Sequence, residues 1–260
     1  MKRTYVKLLT VAGLTGCFLF TSCRSAQETT ARYEISKVEG NMITIDSTWD
    51  ANPDKKATTV LKPYKDKVDA MMYEVIGTSE MKMDKGTPES LLSNLVASVL
   101  QEAAAQVLGK PADMGLVNMG GLRNILPKGD ITVGAVFEIL PFENSLCVLT
   151  MKGTDMKRLF KAIASLHGEG VSGIRLEINK KGELLNATIG GKPVVDDQLY
   201  TVATIDYLAD GNGRMDAFLQ AEKRECPEDA TLRGLFLDYV RKQTAEGKII
   251  TSKLDGRITV

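Results

Sequence analysis

The stretch VNMGGLRNILPKGDITVGAVFEILPF, Val117 to Phe142, decides how this chain is read. It opens at the end of a strand (DMGLVN), passes through a glycine turn and reaches a short helical segment around Val133–Ile139. A glycine turn after a strand lets backbone N–H groups come close to an anion. Arg123, just beyond Gly120 and Gly121, adds a planar and permanently charged fork suited to phosphate. Each residue also has a plainer reading: a tight turn, a surface ion pair for Arg123, a core position for Phe142.

Working outward, a helix begins with Thr87 as N-cap and Pro88 in its first turn, with the stripe Leu91, Leu92, Leu95, Val96, Val99 and Leu100, and Gly109 closes it. Further upstream, RYEISKVEGNMITIDSTW reads as two strands around a Glu39-Gly40-Asn41 turn. A helix follows from about Pro53, with Val60, Leu61, Tyr64, Val68 and Met71/Met72 recurring on it, and Pro63 is expected to interrupt or kink it. Downstream come a strand (SLCVLTM), a helix over 154–166, strands in GIRLEIN, LLNATIG and LYTVATI, a last helix in DATLRGLFLDYVRKQ and a last strand in GRITV. This mixture predicts one mixed α/β domain.

The 260 residues carry 33 basic and 33 acidic side chains, so no basic excess points to nucleic acid. The N-terminus MKRTYVKLLTVAGLTGCFLFTSC has a positive start at Lys2, Arg3 and Lys7 and an apolar run from Leu8 to Phe20. The run is short for a membrane span and ends in small residues before Cys23. It resembles a bacterial lipobox, with residues 1–22 as signal, Cys23 lipidated and 23–31 a tether; an ordinary secretory signal cut near Ser22, or a short anchor, are the other readings. Cys147 and Cys226 then remain, and a disulfide between them is permitted outside the cytoplasm without being indicated.

Five ordered motifs resemble the C-terminal domain of the 5'-nucleotidase family. ESLLSNL (Glu89–Leu95) is similar to the family's E-T-N-L-G-N-L, VNMGGLR to N-G-G-G-I-R, and GDITVGAVFEILPFEN to its G-D-I-T…L-P-F-g-N block. VSGIRLEI and YTVATIDYLADGNG match two more. The resemblance covers 87–260, leaving 32–86 as a hairpin and helix extension, and implies a layered α/β/β/α fold. It also implies that Asn118, Gly120, Gly121 and Arg123 clamp phosphate, that Phe142 and Tyr207 stack a nucleobase, and that Asn144 contacts the base. Four positions depart from the pattern. Met119 stands where the family turn has a glycine. Glu143 replaces a glycine and brings negative charge toward an anionic ligand. Gly213 takes the place of the acid that holds the ribose, with Asn212 the nearest substitute. Gly86 falls where a second arginine is expected, with only Lys82 and Lys85 close by.

In full-length members a preceding metallophosphatase domain uses two metal ions to activate water. That site needs several histidines, and this chain has only His167, in a loop after a helix where it favours the helix C-terminus. No G-x-S-x-G elbow occurs, and GNGRMD lacks the lysine of a phosphate-binding loop. Asp196-Asp197 reads as a solvated turn pair. No catalytic residue and no metal or cofactor site is therefore expected in this chain, and divalent metals are expected only in a partner. The expected role is recognition of a nucleotide or other phosphorylated small molecule for a separately encoded metallophosphatase. The expected location is a bacterial cell envelope, with lipid anchoring. A non-catalytic binding module and a degenerate structural subunit are the rival readings.

Overall fold

A computed structural model describes residues 34–260. The expected export signal, Cys23 and the expected tether lie outside the described residues. Contacts divide the chain into one unit ending at Pro53 and another running from Asp54 to Val260. In the first, residues 34–46 form no strand, so the hairpin expected about Gly40 is not made. Ile43 and Ile45 alternate as in a strand but stay exposed. Without a hydrogen-bonded neighbour, such a segment has no ladder to hold it extended. Asp46 then caps a short 3₁₀ turn, Ser47–Ala51, accepting from the Thr48 N–H at 2.9 Å.

The second unit opens with α1, Lys55–Met72, capped by Asp54, whose carboxylate accepts from the Ala57 N–H at 2.9 Å. Pro63 lies inside α1 and does not interrupt it. The helix is exposed there, so the Thr59 carbonyl that loses its partner can turn to water. β1, Val75–Ser79, follows and pairs antiparallel with β3, Gly129–Thr132. Between them, α2 spans Leu91–Ala103 and α3 spans Ala105–Leu108, closed by Gly109 at φ 71°. The N-cap of α2 is Ser90, not Thr87: its hydroxyl accepts from the Ser93 N–H at 3.3 Å, and Pro88 precedes the helix.

A five-stranded sheet runs in the order β10 (Lys223–Glu225), β4 (Leu146–Lys152), β9 (Leu199–Ile205), β2 (Met114–Val117), β5 (Gly170–Ser172). All its pairs are antiparallel except β2–β9. A four-stranded sheet orders β11 (Ile258–Thr259), β6 (Ile174–Ile178), β7 (Leu184–Ile189) and β8 (Lys192–Pro193). The other helices are α4 (Val133–Ile139), α5 (Gly153–Ser165), α6 (Asp206–Ala209) and α7 (Leu232–Ala245). Helices and sheets stack in layers, the mixed α/β arrangement expected.

Packing follows from side-chain size. α2 lies on β2 and β5, and Gly115 permits it: a Cβ there would stand 2.3 Å from the Ala97 carbonyl oxygen and 2.5 Å from the Ser172 hydroxyl. α5 packs on strands of both larger sheets and buries Met156, Leu159, Phe160 and Ile163. β4 is buried from Leu146 to Leu149, and a disulfide joins its Cys147 to Cys226 at the end of β10.

Candidate functional site

Three chain segments meet at one cavity. The first is the 3₁₀ turn Met119–Gly121 that leaves β2 through Asn118. The second is the link from α4 to β4, which carries Phe142 and Asn144. The third is α6, which carries Tyr207. Asn118, Gly120, Gly121, Phe142, Asn144 and Tyr207 together line a space of about 360 Å³. The parallel β2–β9 pairing explains the meeting, because it sets the end of β2 beside the strand that runs into α6.

The turn is tightly wound. The Gly121 N–H donates to the Asn118 carbonyl at 3.0 Å, and the Leu122 N–H donates to that of Met119 at 3.3 Å. The Met119 N–H donates to the Glu169 carboxylate. Three of the turn's amides are thus already engaged by the chain. The open nest of N–H groups expected from the glycines is correspondingly reduced, and both glycines keep ordinary φ values. What the glycines supply is space: a Cβ on Gly121 would press to 3.0 Å from Asn118 Oδ1. That oxygen is buried without a hydrogen-bond partner among the described residues. A buried acceptor left unpaired is costly, and one beside a cavity can be satisfied by a ligand or by water.

Glu169 is the site's one strongly perturbed group among the described residues. Burial pushes its carboxyl up to about 7, and the Met119 N–H works in the opposite direction. Sequence reading passed over it, because a single acid in SLHGEGVSG carries no motif.

Phe142 is 49% exposed and Tyr207 44%, so neither is the core residue that Phe142's plainer reading allowed. The Arg123 guanidinium lies 5.9 Å from the centre of the Phe142 ring and donates to the Gly120 carbonyl at 3.2 Å. Arg123 has no carboxylate partner among the described residues. Asn144 donates to Asp206 Oδ1 at 3.0 Å, and the same oxygen accepts from the Tyr207 N–H at 2.7 Å. That shared carboxylate fixes the two cavity-lining residues relative to each other.

One expectation is corrected. Glu143 does not bring an uncompensated charge to the cavity, because it pairs with Arg233. Arg233 is itself buried, stacked 4.1 Å from the centre of the Phe137 ring and donating to the Leu140 carbonyl at 3.1 Å. Asn212 is exposed and is not among the residues lining the cavity, as the 3₁₀ turn Asn212–Arg214 carries it past Tyr207. Lys85 is brought behind the glycine turn, where its ammonium donates to the Leu122 carbonyl.

His167 is exposed, at φ 60° just after α5. Asp196 pairs with Lys157 at 2.5 Å on the surface, away from the cavity-lining residues. No group of three or more His, Cys, Asp or Glu side chains is placed to hold a metal ion among the described residues. The described donors therefore do not fit a two-metal centre.

The chain is a layered α/β domain with an aromatic-walled cavity at a glycine turn. The family model of the 5'-nucleotidase C-terminal domain matches residues 75–220, and the chain belongs to that family. The match starts at β1, upstream of Thr87. Among curated relatives, the chain is 27% identical over 238 residues to the trifunctional nucleotide phosphoesterase protein YfkN of Bacillus subtilis, covering 84% of this chain and 16% of that protein. It is 27% identical over 240 residues to the cell wall protein Lmo0130 of Listeria monocytogenes, covering 81% of this chain and 30% of that one. Among solved structures, a 5'-nucleotidase precursor from Thermus thermophilus matches with a TM-score of 0.66 at 26% identity, over 81% of this chain and 44% of that one. The chain thus spans less than half the length of each of these relatives.

Proposed function

We propose that this domain recognises nucleotides for dephosphorylation, acting with a separately encoded metallophosphatase outside the cytoplasm and performing no hydrolysis by itself. The observation that carries the reading is the convergence of Asn118, Gly120, Gly121, Phe142, Asn144 and Tyr207 on one cavity with Arg123 at its edge. Two half-exposed aromatic faces suit a planar base, and stacking of this kind contributes about 1–3 kcal/mol per base. Arg123 supplies the fork for a phosphate, and the unpaired Asn118 oxygen supplies an acceptor for a ligand hydroxyl or amine. Relatives whose printed names include nucleotide phosphoesterase and 5'-nucleotidase support the substrate class. The need for a partner rests on the single histidine and on the donor set described above.

Export to a bacterial envelope and lipidation of Cys23 belong to the same reading. The Cys147–Cys226 disulfide supports an oxidising compartment. A second reading, a binding module that never meets a phosphatase, draws on the position of Asn212 outside the cavity, which leaves the sugar without its expected contact.

Calorimetric titration of the protein from Arg24 onward with AMP, adenosine and inorganic phosphate tests the proposal. Saturable binding of AMP, weakened about tenfold or more by Phe142→Ala, is the expected result, since one stacked base contributes about 1–3 kcal/mol. A folded protein that takes up none of the three ligands overturns recognition by this domain alone.

A further inference from the structure

Helix α1 has eighteen residues and none of them is buried. Its C-terminal end meets α4, where the Met72 carbonyl sits over Gly134. Along the rest, Val60, Leu61, Tyr64, Val68 and Met71 are each half or more exposed. At about 100° per residue these five fall within an arc of about 100°, a single apolar stripe along one face. An isolated helix of this length is marginal in water, so an uncovered stripe calls for something to cover it.

The charges around the stripe indicate what. Lys56 and Lys67 border it on one side and Lys65 on the other, while Asp66 and Asp69 lie toward the far face. Lys62 pairs with Asp66 at 2.9 Å on that far face, and Lys65 reaches across to Asp69. Lys56 and Lys67 have no carboxylate partner among the described residues. Long lysine stems flanking an apolar face, with their ammonium groups at its borders, match the interface between acyl chains and anionic headgroups. A second copy of this helix would set lysine borders against lysine borders, which argues against self-pairing.

We propose that α1 is an in-plane membrane-surface helix, with its Val60–Met71 stripe seated on an anionic lipid bilayer and Lys56, Lys65 and Lys67 at the headgroups. The site is independent of the nucleotide cavity and of any lipid on Cys23. It would lay the domain along the membrane rather than leave it hanging from a tether.

Co-sedimentation of the chain from Arg24, which lacks Cys23 and keeps every element described above, tests this. One set of vesicles contains phosphatidylcholine alone, the other phosphatidylcholine and phosphatidylglycerol in equal parts. Binding to the anionic vesicles is expected, weakening with added salt. Two variants, Val60→Ser/Val68→Ser and Lys56→Glu/Lys67→Glu, are each expected to weaken it about tenfold or more, given about 1 kcal/mol per surface lysine and a comparable loss per buried apolar side chain. Because these positions are exposed, an unchanged melting temperature shows that the variants remain folded. Failure of the native chain to sediment with anionic vesicles overturns the proposal, as does binding that neither variant alters. A dimer in velocity sedimentation that Val60→Ser/Val68→Ser converts to monomer assigns the stripe to a second copy instead.

Discussion

Glu169 shows how much a single side chain can set. It lies under the glycine turn, accepts from the Met119 N–H, and burial raises its carboxyl to about 7 from an ordinary 4.5. Between those two values the folded chain keeps a proton that the unfolded chain has released. Stability contributed by this group is therefore full at the acid end and declines as pH rises toward about 7. On the proposed reading, in which the glycine turn holds an anion, the charge that Glu169 gains above that pH beside Met119 opposes binding, so anion binding should strengthen as pH falls through the same window. Glu169→Gln keeps an acceptor for Met119 and removes the titration. Denaturant unfolding at about pH 5 and pH 8 should show a smaller pH difference for the variant than for the native chain, and equal differences would mean the carboxyl is not held protonated.

At the scale of elements, the sheet edge is where covalent chemistry supplements pairing. β10 pairs with β4 over three residues, and Cys226 then closes a loop of 79 residues to Cys147. A crosslink spanning a loop of that size stabilises by about 2–4 kcal/mol, chiefly by restricting the unfolded chain. Reduction, or Cys147→Ala with Cys226→Ala, should lower the unfolding free energy by that amount; a change under about 1 kcal/mol would show the bridge to be redundant. The same edge explains what sequence reading could and could not see. α5 announces itself because its buried face imposes a helical period on the sequence, and β4 and β9 because they read as short, nearly continuous apolar runs. β10 is Lys-Arg-Glu and packs no apolar side chain, so nothing in its composition distinguishes it from a loop. The reverse error occurs at residues 41–46, where Met42, Ile43 and Ile45 resemble strand residues that have no partner. The start of α2 differs from its sequence expectation for a local reason: Thr87-Pro88 carries the familiar signature, and Ser90 has the geometry.

For the whole molecule, the carboxylate of Glu89 deserves to be read as a clasp. It accepts from the Asp255 and Arg257 N–H groups, each at 3.0 Å, and from Asn94 at 2.6 Å. Asn94 in turn donates to the Lys253 carbonyl at 2.9 Å, and Arg257 reaches the Asn94 and Val171 carbonyls. The ESLLSNL motif therefore holds the C-terminal strand β11 beside β6, a role in architecture that the motif alone did not disclose. Hydrogen bonds to a charged partner contribute about 1.5–3 kcal/mol each and are not additive, so Glu89→Ala should cost about 2–4 kcal/mol. Hydrogen exchange at Ile258 and Thr259 should accelerate with it; unchanged protection there would place the clasp elsewhere. The cavity residues are legible as a set because three of the five ordered motifs contain them, whereas Glu143's ion pair depends on Arg233, far along the chain, and Asn212 sits on a 3₁₀ turn of its own outside the cavity lining.

The parallel pairing of β2 with β9 has a consequence for how the cavity comes into being. Thr204 on β9 donates to the Leu116 carbonyl on β2 across 88 residues, and the cavity is lined both by the turn that follows β2 and by Tyr207 on the helix that follows β9. Contacts so far apart along the chain close late and slowly, after shorter loops have formed. A chain emerging from a ribosome or a translocation channel thus has no partial pocket to offer until its last third has docked. Ligand capture would then report completed folding, and any compound bound there would draw the population toward the finished structure by mass action.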